Sequence, residues 1–327
     1  MNDTIIQSVT KFHQSEETIR KMTEKALGKM SDKLTIKELA GGLCSAVYLV
    51  EADGRKLVLK IASDPSVITM RHEKDYVATE ARMLKIMEEK ILIPVPKVLF
   101  FDDSGAICKV PYFFMTYIEG KPLNTISERP SEKEIKKIKR EVGRISKKIS
   151  SIPADAFGIP ALPETYTDSN YQFVLTLFHL LCMDAEDKKI EIPGITKEEL
   201  FGLIEERKSL LEEAKAPCYV HTDTWDGNLM VKEGKLTGMV DFAAILYGDP
   251  LLNHDFHDFW REPSEELLEE FGIQELSRNE KIRIQIYRIW QCLGMIVERG
   301  FREYEDKNQY AWVIDLFKEH VEKLKQM

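Results

Sequence analysis

The apolar positions of this 327-residue chain change their period several times, and the changes mark its elements. From Asp3 to about Lys29 they recur at loosely helical spacing, which predicts one or two short helices. Three strand-like runs follow, over 34–39, 45–50 and 57–61. Between the last two sits Asp53-Gly54, a pair that accepts the positive φ angles of a two-residue turn, so a hairpin and an antiparallel meander are expected. Residues 77–90 return to a helical period, with Val77, Ala81, Leu84 and Met87 or Ile86 on one face. Strand character resumes over 93–101 and 112–118, and Gly120-Lys121-Pro122 then breaks the chain.

Beyond that break the pattern is mainly helical. Ser131 is placed to cap a charged helix running to about residue 149, with Glu134 at the capping-box position. Prolines and glycine over 153–163 predict a loop. Helices are expected over 171–183, 197–213, 264–271, 279–301 and 310–325, whereas 219–249 reads as loop and short strands. The fold class is therefore α+β, with a small antiparallel-sheet lobe ahead of a larger, mainly helical one. The division is expected as 1–118, with a helical N-terminal extension, and 119–327, joined by a connection at about 115–120. No internal repeat or low-complexity tract interrupts it.

Bulk composition narrows the partners. Hydrophobic residues make up 43% and charged residues 31% of the chain, as in ordinary globular proteins. The 46 basic and 55 acidic residues leave a net charge of −9, which argues against a general nucleic-acid binder. The acidity could favour a cationic substrate, but acidic cytosolic proteins are common and that plainer reading comes first. Cys44, Cys108, Cys182, Cys218 and Cys292 are scattered without a C-x-x-C pair, so a reducing compartment is expected, with neither a disulfide framework nor a zinc site. No apolar run reaches membrane-spanning length, and the first residues are polar and mixed in charge, so no membrane partner and a cytoplasmic location are expected. Monomer and homodimer both remain open.

The chemistry concentrates in His221-Thr222-Asp223 through Asn228, followed by Val240-Asp241-Phe242. An aspartate, an asparagine five positions later and a second aspartate beside an apolar strand meet the needs of phosphoryl transfer. One carboxylate meets the hydroxyl being phosphorylated, and two oxygen donors hold Mg²⁺ against the nucleotide phosphates. Protein-kinase catalytic loops space their base and their metal-binding asparagine in this way. His221 reads as a structural residue that packs and hydrogen-bonds the loop. Upstream, Lys60 interrupts an apolar strand and either faces solvent or reaches an anion. Glu80 in the following helix is its natural partner, with Glu73 as the alternative. Gly41-Gly42, with Ser45 close behind, could let backbone N–H groups approach phosphate or could simply serve a turn.

These residues resemble the aminoglycoside phosphotransferase family, a protein-kinase-like group that also includes choline, fructosamine, homoserine and methylthioribose kinases. The family's His-Gly-Asp-x-x-x-x-Asn is matched by His221, Thr222, Asp223 and Asn228. Its Ile-Asp-Phe/Trp strand is matched by Val240-Asp241-Phe242, and its Gly-Asp-Pro turn by Gly248-Asp249-Pro250. The likeness runs from about residue 35 to 255. It implies a two-lobed protein-kinase-like fold, Asp223 as catalytic residue, Asn228 and Asp241 as metal ligands, and Lys60 with Glu80 at the nucleotide phosphates. It also implies that Gly41, Gly42 and Ser45 lie over the phosphates, that Thr116 C=O and Ile118 N–H face the purine, and that Asp249 braces the catalytic loop. Three departures stand out: Thr222 for glycine, Ala243 after Asp-Phe, and Asn253 where an aspartate is common.

The function so implied is transfer of the γ-phosphoryl of ATP or GTP, with Mg²⁺, to a hydroxyl of a small polar molecule, a cation among the options. The alternatives are a nucleotide-binding regulatory pseudokinase on the same scaffold and a metal-dependent phosphohydrolase. The acceptor would sit in the helical lobe. Asp226, Asp255 and Trp260 could contact it, although acids at helical spacing are usually solvated and aromatics usually core. Trp290, Trp312 and Tyr310 read as core.

Overall fold

The computed structural model describes residues 7–29, 33–40, 44–127, 130–304, 306, 308 and 310–327. Its first half is built on a five-stranded antiparallel sheet of β1 (Leu34–Glu38), β2 (Ala46–Ala52), β3 (Arg55–Ile61), β4 (Val98–Asp102) and β5 (Tyr112–Thr116), in the order β1-β2-β3-β5-β4. The turn from β2 to β3 is the expected one: Ala52 pairs with Arg55 across Asp53 (φ 50°) and Gly54 (φ 78°).

Period-2 alternation decides what each face of this sheet touches. Leu57, Leu59 and Ile61 of β3, with Tyr112 and Phe114 of β5, pack with Ile19 and Met22 of helix α1 (Glu16–Leu27). Val58, Phe113 and Met115 face the opposite way, onto Val77, Ala81, Leu84 and Met87 of helix α2 (Tyr76–Lys90). Lys60 therefore points to the α2 side, two places along from Val58. The strand expected over 93–101 begins only at Val98, because Pro94 and Pro96 precede it and proline cannot donate to a sheet ladder.

After β5 the chain forms β6 (Lys121–Pro122) and then helix α3 (Glu132–Ser150), which has the expected Ser131/Glu134 capping box. The loop expected at 153–163 is a correction. It contains β7 (Phe157–Ile159) and the start of β8 (Leu162–Thr167), a small hairpin whose apolar residues join the helical core. Helix α4 (Asn170–Asp187) follows. The single helix expected at 197–213 divides into α5 (Lys197–Glu205) and α6 (Lys208–Leu211). Arg207 leaves the helical region there (φ −106°, ψ 15°), and its guanidinium donates to the carbonyls of Leu203 and Leu324.

Short strands β9 (Cys218–His221), β10 (Leu229–Lys232), β11 (Lys235–Met239) and β12 (Ile245–Gly248) carry the motif region. They form a β11-β10-β6 ribbon and a β8-β7-β12-β9 sheet. Helices α7 (His254–His257), α8 (Glu265–Phe271), α9 (Arg278–Arg302) and α10 (Val313–Gln326) complete the chain, and α7 has no counterpart in the sequence pattern. One apolar cluster runs from the sheet through Ile138, Val142, Ile145 and Ile149 of α3 to Leu229, Met239 and Phe242, so the motif strands rest on the same core as the sheet. Among the described residues no helix is long and apolar enough to cross a membrane. The five cysteines are all free thiols.

Candidate active site

Strand β9 presents the first functional group. His221 at its end pairs with Ile245 of β12, and Thr222 N donates to Ala244 O at 3.0 Å. The Thr222 hydroxyl donates to the same carbonyl at 2.9 Å, so threonine in the glycine position strengthens the turn and has no positive φ. Asp223 N then donates to His221 Nδ1 at 3.2 Å, and the His221 ring meets Phe242 edge to face at 4.7 Å. His221 is thus a fully buried loop brace, as its sequence position suggested. Burial holds its imidazole down at about 4, so it is neutral at physiological pH.

The Asn228 side chain donates through Nδ2 to Asp223 O at 2.8 Å and to Asp223 Oδ2 at 2.9 Å. With its amide nitrogen engaged on Asp223, its Oδ1 remains as an acceptor. Val240 N donates to Asn228 O at 3.0 Å, which ties the Asn228 turn to the stretch carrying Asp241. Asp241 itself sits at φ 64°, ψ 69°, a left-handed conformation uncommon outside glycine. Burial alone would raise its pKa, but Lys60 holds it below the usual carboxylate range.

Lys60, Glu80 and Asp241 form one chain of charges. Lys60 Nζ lies 2.5 Å from Glu80 Oε2 and 2.8 Å from Asp241 Oδ1. The other Glu80 oxygen accepts from Phe242 N at 3.1 Å, so Glu80 fixes both the lysine and the backbone just after Asp241. Glu73, the alternative partner of Lys60, is instead buried against Arg302 and Cys44. Burial, then the nearby Asp241 charge, pushes the Asp223 carboxyl well above its ordinary range.

Asp223, Asn228, Asp241, Lys60 and Ser45 all line one cavity of about 490 Å³, within the usual range for small-molecule sites. Asp226, Asp255 and Trp260 line it too. Asp226 is paired with Arg261 at 3.1 Å, and Asp255 accepts from Ser146 Oγ at 2.7 Å. Glu80 and His221 lie behind the cavity wall and do not line it. Thr116 and Ile118 also lie outside this lining: Thr116 ends β5, and Ile118 packs against Gly238. Gly41 and Gly42 lie outside the described residues. Asp249 accepts from Leu251 N, Arg283 Nε and Tyr287 Oη at 3.1, 2.9 and 2.9 Å, which anchors the turn below β9. Asn253 accepts from His221 N at 3.0 Å and donates to Ser150 Oγ at 2.8 Å. An aspartate would lack that second donor.

Tyr310 and Trp312 correct the sequence reading, because both line this cavity rather than lying wholly in the core. Their ring types alone could not signal it. Trp290 is buried as expected but lines the cavity as well.

Among the described residues no group of three or more His, Cys, Asp or Glu could hold a metal. Two oxygen donors, from Asn228 and Asp241, fit Mg²⁺, which takes one or two protein ligands and completes its shell with water and phosphate.

A sequence profile described as the phosphotransferase enzyme family matches residues 35–282. No curated protein matches the chain at a significant level. Among solved structures, a candidate fructosamine-3-kinase from Haemophilus somnus 129PT is 14% identical with a TM-score of 0.67, over 94% of this chain and 97% of that one. A candidate aminoglycoside phosphotransferase from Ralstonia eutropha JMP134 is 13% identical with a TM-score of 0.67, over 95% and 98%. A thermostable mutant of aminoglycoside phosphotransferase APH(4)-Ia, in ternary complex with AMP-PNP and hygromycin B, is 16% identical with a TM-score of 0.64, over 93% and 98%. At such identities these likenesses speak to the shared two-lobed, kinase-like fold.

Proposed function

Because this chain belongs to the phosphotransferase enzyme family, we propose that it is a small-molecule kinase moving the γ-phosphoryl group of ATP or GTP to a hydroxyl of a small polar acceptor. The observation that carries the reading is the convergence of Asp223, Asn228, Asp241 and Lys60 on one cavity. We place the division between its lobes at residues 118 and 119, just after β5, so that this cavity opens between a nucleotide-binding lobe and an acceptor-binding lobe.

In this reading Lys60, oriented by Glu80, grips the nucleotide phosphates, and Ser45 covers them. Thr116 C=O and Ile118 N–H, just beyond the lining of this cavity, would meet the purine edge where the nucleotide extends past it. Asn228 Oδ1 and an Asp241 carboxylate oxygen would hold Mg²⁺. Bound there, Mg²⁺ would neutralise charge on the phosphate oxygens and align them. Asp223 orients the acceptor hydroxyl and takes its proton as the new O–P bond forms. The bond from the γ-phosphorus to its bridging oxygen breaks, and the nucleoside diphosphate leaves. Burial and Asp241 raise the Asp223 carboxyl pKa, and a cation held beside it would oppose that shift and favour the ionised form this role needs. His221, Asp249 and Asn253 hold the loop without touching reactants.

The test is phosphate transfer to a panel of hydroxylated small molecules, with purified wild type and Asp223→Ala. We expect a loss of about 10²–10⁴-fold in kcat for the variant, with Mg-nucleotide binding retained. Equal turnover by Asp223→Ala would remove Asp223 from the mechanism. Nucleotide binding by the wild type without transfer to any acceptor would favour a regulatory pseudokinase.

A further inference from the structure

The chain has four tryptophans, Trp225, Trp260, Trp290 and Trp312, and all four line the cavity that holds Asp223. Three of them keep much of their surface open: Trp260 is 58%, Trp225 39% and Trp312 38% exposed. Leaving so much indole surface in water is unfavourable unless something covers it. The rings are also organised. Trp260 and Trp312 lie 4.8 Å apart at 36°, Phe259 flanks Trp312 at 5.7 Å, and Tyr310 meets it edge-on at 6.0 Å. Trp225 lies close against Gly227, where any Cβ would fall 2.2 Å from the indole. That glycine lets the ring occupy its place in the catalytic loop.

The carboxylates beside these rings already have hydrogen-bond or ion-pair partners within the chain. Asp226 and Asp258 share Arg261 at 3.1 and 3.6 Å. Glu262 takes both terminal nitrogens of Arg288 at 3.0 Å. Asp255 accepts from Ser146, and Glu298 accepts from Tyr304. A polyamine entering here would have to displace internal cations and hydroxyls to find its counter-charges. A ring face has only to displace water from indole.

We propose that the acceptor is a hydroxylated ring compound with a broad apolar or aromatic face, seated against Trp260 and Trp312 with its hydroxyl toward Asp223, and not a polycation. The inference rests on the kinase reading and names the substrate class of that site. Stacking supplies the affinity, and Arg261, held by two aspartates, supplies a rim donor for the acceptor's polar edge.

The experiment is calorimetric titration of the full chain with Mg-AMP-PNP present, against aryl glycosides such as phenyl β-D-glucopyranoside, plain sugars, and polyamines of the kanamycin type. Aryl glycosides should bind with Kd on the order of 0.1–1 mM, and at least tenfold more tightly than the matching plain sugar. Their binding should be insensitive to added salt, and about tenfold weaker in Trp260→Ala. Trp312→Leu, checked by its thermal melt, should weaken it similarly; because Trp260 is on the surface, Trp260→Ala carries the test alone if that variant is unstable. Binding confined to polyamines, abolished by salt, or undiminished in Trp260→Ala overturns the inference. So does the absence of any aryl-glycoside binding at about 5 mM. Mg-AMP-PNP is titrated first, alone: failure at that stage sinks the kinase reading itself, whereas nucleotide binding followed by polyamine preference sinks only the acceptor class.

Discussion

At the scale of single residues, stability and chemistry turn on groups whose charge state depends on burial. His221 shows the sign of the effect. Its folded-state pKa is about 4 against an ordinary 6.5, because burial disfavours the imidazolium. As pH falls below about 6.5 the unfolded chain takes up a proton at this position that the folded chain refuses, so stability declines from there to about pH 4 and then levels for this group. The full penalty is up to about 3 kcal/mol. Urea midpoints measured at pH 7.5, 6 and 5 should therefore fall, and His221→Gln should flatten that slope. The same slope in wild type and His221→Gln would mean that the ring is solvated or charged in the folded state. His221, Asp223, Asn228 and Asp241 are legible in the sequence because their geometry is local: a strand end, a one-turn loop and a short ribbon fix them by spacing alone. Asn253 stands out in the sequence as a departure, yet its bond to His221 N emerges only once the strand and the following turn are placed together.

At the scale of elements, sequence and structure agree where a periodic pattern and its punctuation point the same way. The Asp53-Gly54 hairpin, the Ser131 capping box and the α2 face all form as their residues require. They part where tertiary contact decides. The α5–α6 break depends on Arg207 reaching Leu324, and the β7–β8 hairpin depends on a sheet shared with β9 and β12. Glycine gives a clean test of such context. Gly54 has φ 78° in an open turn, with no atom within 4 Å of where a Cβ would stand. Gly120 has φ 134°, and a Cβ there would fall 2.8 Å from Val231 O. Gly54→Ala should cost about 1 kcal/mol from backbone strain alone. Gly120→Ala adds a backbone clash between β6 and β10 and should cost at least about 2 kcal/mol. Denaturant titration of the two variants decides it, and equal losses would mean that the junction after β5 is more yielding than its geometry indicates.

At the scale of the whole molecule, the two halves are joined by more than the chain connection. Glu73, in the segment before α2, is buried against Arg302 at the end of α9, with Cys44 beside them. Nothing in the sequence pairs residues 229 positions apart, and Glu73 stands out there only as an alternative partner for Lys60. Arg302→Met leaves a buried carboxylate without its cation and should cost about 3–5 kcal/mol, much of it restored by adding Glu73→Gln. A loss under about 1 kcal/mol for Arg302→Met would show that the pair is open to water. Long-range contact likewise sets Trp312 against Phe259 and Trp260 at the cavity, which is why its place is invisible from its own neighbourhood. In the proposed site, Asn228 and Asp241 would hold a magnesium ion against nucleotide phosphates that Lys60 also contacts. The most direct test of this arrangement is calorimetric titration of AMP-PNP into wild type and Asp241→Ala, each with and without Mg²⁺. We expect wild-type binding that Mg²⁺ tightens by about tenfold or more, and no such gain in Asp241→Ala. Equal Mg²⁺ dependence in the two proteins, or none in the wild type, would contradict it.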